Sequence, residues 1–254
     1  MEHLLEMKDV KMYFGGVHAV DGISTHVDAH EMLGIIGPNG SGQTTLINVL
    51  TGVYTATEGQ IIYNGQDITQ KKLQNMTSIG IARTFQNLRI FKAMTVRDNV
   101  LVGQHLSIKA NLFDAILKTK RFRQSEKDAN DIAVKALTMV NLQDHIDDFA
   151  GAMPYGMQKK LEIARALVMS PKLLILDEPT AGMNAVESEE QIALVKRIQD
   201  ERGIAVILIE HNMKLMMKMA DRILAMDAGK EIAQGLPSEI QNNERVIRAY
   251  IGED

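Results

Sequence analysis

The 254-residue sequence contains no cysteine. This excludes a disulfide framework and any metal site built on thiolates, and it suits the cytosol. Long apolar runs are missing as well. Stretches such as residues 204–209 fall far below the ~20 apolar residues that span a bilayer, so a membrane role has to come through a partner. The opening Met1-Glu2-His3-Leu4-Leu5-Glu6 has neither the basic start nor the apolar core of a secretion signal. No basic excess is present: Lys and Arg total 28 against 32 Asp and Glu, a net charge of −4. Nucleic acid, which usually calls for a basic domain, is therefore not an expected partner. Internal repeats and low-complexity linkers are lacking too. What remains, with 45% hydrophobic and 24% charged residues, suits one large globular domain over residues 1–254 with room for an inserted subdomain.

The most informative stretch begins as an apolar segment, Met32-Leu33-Gly34-Ile35-Ile36. It ends in Gly37-Pro38-Asn39-Gly40-Ser41-Gly42, and a helical pattern starts at Gln43-Thr44-Thr45-Leu46-Ile47. Strand, glycine loop, helix is the order of a phosphate-binding loop, and Gly37, Gly42 and Thr44 meet its template G-x-x-x-x-G-K-[ST]. Glycines let successive backbone N–H groups point inward at phosphate oxygens, and the helix N-terminus adds partial positive charge. Thr44 would offer its hydroxyl to Mg²⁺. One position departs from the template: Gln43 stands where a lysine would reach the β- and γ-phosphates. An amide still donates a hydrogen bond but carries no charge, and a charge-assisted bond is worth about 1.5–3 kcal/mol against about 1 for a neutral one. Taken alone, the stretch is also compatible with an ordinary tight strand-to-helix turn.

The rest of the chain reads as short strands at 4–7, 23–27 and 31–36, with Tyr13-Phe14-Gly15-Gly16 between the first two as an aromatic near a ligand or at a sheet edge. A helix over 43–50 stops at Thr51-Gly52. Strands at 60–63 and 66–68 flank Asn64-Gly65, a hairpin signal. Residues 79–86 read as a further strand, and about 95–167 as helical, opening with Thr95 and an acid, Asp98, three residues on. Ile132, Ala136, Leu137 and Val140 mark a helix over 125–140. The basic run Lys118-Thr119-Lys120-Arg121-Phe122-Arg123 reads as a solvated helix face. Continuous apolar runs at 173–176 and 204–209, separated by a helix at about 186–201, are those of parallel strands buried on two faces. Strands at 222–226 and 231–234 and a polar helical tail close the chain. Met213, Met216, Met217 and Met219 lie at helical spacing and read as core packing, not as a soft-metal site.

The runs at 173–176 and 204–209 end in Asp177-Glu178 and Glu210-His211. In open parallel sheets ligands bind beyond the carboxyl ends of the strands. Asp177 is placed to hold Mg²⁺ through water, and Glu178 to take a proton from an attacking water.

With these residues in place, the chain resembles the nucleotide-binding subunit of ABC transporters over essentially its whole length. The likeness rests on residues 37–45, Gln86, 151–167, 173–179, Ala181-Gly182-Met183-Asn184 and His211. It implies an α/β P-loop NTPase fold with a mostly parallel core sheet, an antiparallel β subdomain and a helical subdomain inserted at about 95–167. It implies ATP and Mg²⁺ as ligands, with Phe14 stacked on adenine and the phosphates held by Gly37, Pro38, Asn39, Gly40, Ser41, Gly42, Gln43, Thr44 and Thr45. Thr44, Gln86 and Asp177 would serve the metal. Glu178 would be the catalytic carboxylate, His211 the contact to the γ-phosphate, and Gln86 the sensor of metal and water. The family's Leu-Ser-Gly-Gly-Gln signature, which meets the nucleotide of the opposite subunit, falls on Met153-Pro154-Tyr155-Gly156-Met157. There Gly156 is kept, and Pro154 replaces the serine in the first turn of a helix, leaving the N–H groups of Tyr155 and Gly156 for phosphate. Asn184 stands where an aspartate is usual in the loop crossing the dimer interface.

The segments 80–86, 161–167, 208–215 and 246–252 are similar to ATP-binding subunits of branched-chain amino acid importers, and the tail is also similar to a lipopolysaccharide-export ATPase. The resemblance implies a homodimer, or a heterodimer with a related subunit. This pair would work on the cytoplasmic face of the membrane against permease subunits met through the region after Gln86. A nucleotide-responsive subunit with little turnover is the second reading, motivated by Gln43, Pro154 and Asn184. A soluble ABC-type ATPase of translation or DNA repair is a third, weakened by the absence of a second cassette or long coiled coil.

Overall fold

A computed structural model describes residues 3–84, 88–104 and 120–251. Strands β1 (Leu5–Phe14), β2 (Val17–Val27), β4 (Glu58–Tyr63) and β5 (Gln66–Asp67) form an antiparallel sheet in the order β2-β1-β4-β5. A second sheet joins β3 (Met32–Ile36), β6 (Ile81–Arg83), β7 (Leu173–Asp177), β8 (Ala205–Ile209), β9 (Arg222–Asp227) and β10 (Lys230–Gly235) in the order β10-β9-β3-β8-β7-β6. Its pairings are parallel except for the β9–β10 hairpin at one edge.

Alternation along the core strands explains why they read as unbroken apolar runs. Successive side chains point to opposite faces. Met32, Leu174, Leu176, Val206, Leu208 and Ile223 join one buried cluster, together with the helices α2 (Val96–Gly103), α3 (Lys120–Met139), α4 (Tyr155–Leu167) and α5 (Ala185–Arg202). Leu33, Ile35, Leu173, Ile175, Ile207 and Leu224 join the other, against α1 (Gln43–Leu50) and the antiparallel sheet. Both faces are covered, so neither needs a polar residue. The methionines of α6 (Met213–Met219) behave as the sequence implies: Met216 is fully buried, and Met213, Met217 and Met219 pack against the first cluster. Two short helices, α7 (Pro237–Gln241) and α8 (Glu244–Ile251), end the described chain. Among the described residues no helix is long and apolar enough to cross a membrane.

Several boundaries differ from the sequence reading. The strands expected at 4–7 and 23–27 extend into one long hairpin that turns at Gly15-Gly16. Its register shifts, including one around Asp9 at φ +47, break the period-two pattern that marks a strand in sequence. Among the described residues of the strand expected at 79–86, only Ile81–Arg83 is extended, because Thr77–Ile79 makes a 3₁₀ turn closed by Gly80 at φ +93. The Asn64-Gly65 turn is as expected, with both residues at positive φ, as a two-residue hairpin of this kind requires. Thr95 caps α2 by accepting from Asp98 N at 3.1 Å. Lys118 and Thr119 of the basic run lie outside the described residues.

Candidate active site

The glycine loop leaves the central strand β3 and runs into α1, so its conformation is fixed from below by the core sheet. Two glycines are required by close approach. A Cβ at Gly37 would overlap the Met226 carbonyl oxygen, and one at Gly42, which sits at φ +99, would overlap that of Ala19. The loop is braced by Ser41 N donating to Pro38 O at 3.0 Å and by Gly229 N donating to Ser41 O at 3.0 Å. Over it lies a cavity of about 510 Å³, lined by Val17, His18 and Ala19 of β2, by Asn39 to Thr45, by Ala228 and Gly229, and by Glu178 and His211. Gly37 and Pro38 support this lining without joining it.

Inside that frame the Gln43 side chain is buried, and its Nε2 donates back to the Ile35 carbonyl oxygen at 3.2 Å. The amide is thus occupied by strand β3, while Thr44 is exposed and Thr45 half-exposed at the helix start. The Ser41 hydroxyl is buried with no hydrogen-bond partner among the described residues, as a polar group that binds a ligand can be.

The acids take different surroundings. Asp177, at the end of β7, is 1% exposed and pairs through Oδ2 with Arg83 Nη2 at 2.9 Å. Its other oxygen, Oδ1, is buried without a hydrogen-bond partner. An orphaned carboxylate oxygen and the Thr44 hydroxyl are hard oxygen donors, the kind that Mg²⁺ takes. These residues therefore fit the ion that the sequence implies. Glu178 adopts φ +48, a strained conformation for a residue with a side chain. Its N–H donates to Ile209 O at 3.0 Å, and its Oε1 lies 2.9 Å from His211 Nε2. Glu210, unremarked in the sequence as a functional group, is buried and accepts from both Thr180 N (2.9 Å) and Thr180 Oγ1 (2.7 Å). The ends of β7 and β8 are stitched together by these bonds, and Glu178 and His211 face the glycine loop across one cavity.

Other candidates lie elsewhere. Phe14 is outside the cavity lining, and its exposed ring makes an edge contact with Tyr54 at 5.2 Å. Tyr13, from the same stretch, stacks at 3.9 Å on His18, which lines the cavity. Pro154 is the N-cap of α4, one position before the first turn where the sequence reading placed it. Tyr155 is exposed and covers Gly182, and Gly156 is half-buried with only Met183 within 4 Å of where a Cβ would stand. None of Pro154, Tyr155 and Gly156 lines the cavity of their own chain. Asn184 caps α5 with a reciprocal pair: its side chain accepts from Glu187 N and Glu187 accepts from its backbone, both at 3.0 Å. Gln86 lies outside the described residues. Apart from this site, His3, His26 and Asp28 gather beyond the β1–β2 pairing. There a 2.5 Å hydrogen bond from His3 to Asp28 and a ring contact of His3 with His26 fasten the start of the chain to β2.

Comparison with known proteins agrees with this geometry. The family model described as ABC transporter matches residues 20–181, and that described as Branched-chain amino acid ATP-binding cassette transporter matches 230–254. The chain is 41% identical over 250 residues to the high-affinity branched-chain amino acid transport ATP-binding protein BraF of Pseudomonas aeruginosa, covering 98% of each. It is equally identical, over the same share, to the LivG protein of Escherichia coli that carries the same description. Among solved structures, an ATP-binding cassette of an ABC transporter in its ADP conformation superposes with a TM-score of 0.86 at 32% identity, covering all of both chains.

Proposed function

Since this chain belongs to the ATP-binding proteins of the ABC transporter family, we propose that it powers an importer of branched-chain amino acids by binding and hydrolysing Mg-ATP. The observation that carries the reading is the single cavity that joins the glycine loop to Glu178 and His211. The amino acid class is supported by the match of residues 230–254 and by the relatives' descriptions, which favour it over lipopolysaccharide export.

In this reading the loop N–H groups and the start of α1 hold the phosphates. Thr44 and Asp177 would hold Mg²⁺, which would supply neutralisation of the phosphate charge. Glu178 would accept the proton of the water that attacks the γ-phosphorus as the bond to the departing ADP oxygen breaks; His211, which meets that carboxylate through Nε2, would orient it and would donate toward the γ-phosphate from a ring N–H not engaged by Glu178. Pro154, Tyr155 and Gly156, exposed away from their own cavity, would meet the nucleotide of a second subunit. Asn184 would follow the same interface from the N-cap of α5. The pair would then sit at the cytoplasmic face of the membrane and act on permease subunits.

A second reading has an observation of its own. Gln43 Nε2 gives one of its two N–H groups to Ile35 O, so the phosphates lose the charge of the usual lysine and keep at most one amide donor. The chain then binds nucleotide and closes with slow turnover. Light scattering of the chain with and without Mg-ATP tests the shared core of both readings. ATP-dependent doubling of mass supports the two-subunit sandwich, and bound ATP with no association contradicts it.

A further inference from the structure

We infer that Arg83 is a positioning residue that fixes Asp177 relative to the helix bearing Thr44, and thereby sets how tightly a divalent cation is held beside bound nucleotide. The inference rests on the proposed ATP site and goes beyond it, since neither the glycine loop nor the strand-end acids point to Arg83.

Arg83 ends β6 and pairs in register with Ile175 of β7, two residues before Asp177. Its side chain is 6% exposed and that of Asp177 is 1% exposed. The guanidinium reaches two elements at once. Nη2 donates to Asp177 Oδ2 at 2.9 Å, while Nη1 donates to Asn48 Oδ1 at 2.7 Å and to Thr51 Oγ1 at 3.1 Å. Asn48 follows Thr44 by four residues and therefore shares its face of α1, one turn further on. Thr51 closes that helix, and its own hydroxyl donates to Ile47 O at 2.6 Å.

One planar fork thus spans from the helix that presents Thr44 to the strand that presents Asp177. A lysine, with a single point charge on a flexible stem, cannot hold both ends in one geometry. The pair is also asymmetric in a useful way. Arg83 takes Oδ2, and the buried Oδ1 has no hydrogen-bond partner among the described residues. Burial makes the arrangement hard to do without, because removing one member of a buried ion pair leaves an uncompensated charge. Partners standing behind a ligating carboxylate in this way set the affinity of the ion, and losing one typically costs 10–100-fold.

The test uses Mn²⁺, a hard cation that takes oxygen ligands as Mg²⁺ does, as an electron paramagnetic resonance probe. Free Mn²⁺ is titrated against the chain saturated with ATP, for the parent, Arg83→Gln, Arg83→Lys and the double variant Asn48→Ala/Thr51→Val. ATP affinity in excess chelator and urea unfolding are measured beside it. The expected result is an affinity for Mn²⁺ lowered about tenfold or more in Arg83→Gln, with metal-free ATP affinity unchanged. Arg83→Lys recovers part of the loss, and the double variant, which keeps Arg83 but frees its anchor, shows a smaller loss in the same direction. Equal losses of metal and metal-free ATP affinity, or an unchanged Mn²⁺ affinity, overturn the inference. Should Arg83→Gln fail to fold, the double variant decides by the same criteria. A parent that binds ATP in neither condition overturns the nucleotide reading itself, a pattern distinct from the others.

Discussion

His211 Nε2 lies 2.9 Å from Glu178 Oε1, joining the ends of two neighbouring parallel strands. The contact forms because Glu178 is held at φ +48 while its N–H is bonded to Ile209 O. The acid and the imidazole lie together in the cavity lining. Replacing the carboxylate by its amide keeps the shape and removes the base. In a Gln43→Lys background, Glu178→Gln is expected to lower turnover by roughly 10²–10⁴-fold with ATP binding retained. His211→Ala is expected to lower turnover in the same direction. Steady-state phosphate release and equilibrium ATP binding, measured together, check both.

The glycine loop gives a graded prediction. At Gly42 a Cβ meets the Ala19 carbonyl oxygen, and at Gly40, with a similar positive φ of +83, it meets nothing within 4 Å. Gly40→Ala should cost only the backbone conformation, about 1 kcal/mol. Gly42→Ala should cost distinctly more and also abolish ATP binding, because the loop has to move away from β2. Urea unfolding of the two variants separates them; equal losses would show that the close approach at Ala19 is unimportant.

Asn184 has a structural role at the start of α5. It caps an 18-residue helix with a full reciprocal pair, so Asn184→Ala is expected to destabilise the chain by about 1 kcal/mol. Asn184→Asp keeps the acceptor and adds a charge favourable to a helix N-terminus, so its stability should match or exceed that of the parent. Thermal melts of both variants test the cap independently of any role between subunits.

Glu210 predicts a pH dependence. Burial pushes its carboxyl above the usual carboxylate range, against the two bonds from Thr180 that pull it down. A carboxyl raised in the folded state binds more protons there than in the unfolded chain. Its contribution is full below the unfolded value near 4.5 and is lost as pH rises through the folded one. Glu210→Gln keeps an acceptor oxygen for Thr180 and removes the charge. Its stability should therefore decline less than the parent's from pH 4.5 towards neutrality, as measured by urea unfolding at a series of pH values.

The residues legible in the sequence are those whose role is carried by local backbone. Gly37, Gly42 and the following helix are legible because only glycine tolerates the close approaches that the loop makes, and the spacing survives as text. The buried strands were visible because both faces of the core sheet are covered, leaving unbroken apolar runs. Arg83 was invisible as a site residue because its partners, Asn48 and Asp177, are brought to it only by the sheet order β7-β6 and the packing of α1. Glu210 and Thr180 meet for the same reason, across neighbouring strands. The full length of the β1–β2 hairpin is not legible because register shifts and exposed charged residues interrupt its alternation.

The proposed ATP site lacks, at Gln43, the charge that a lysine usually brings to the phosphate loop. Its most direct test is Mg-ATP affinity and turnover of the parent and of Gln43→Lys at the same dilute concentration. The lysine trades the amide bond to Ile35 O for a charge at the phosphates, worth about 1 kcal/mol or more. The variant is therefore expected to bind roughly tenfold tighter and to hydrolyse ATP where the parent barely does. A variant that binds and turns over no better than the parent contradicts the account.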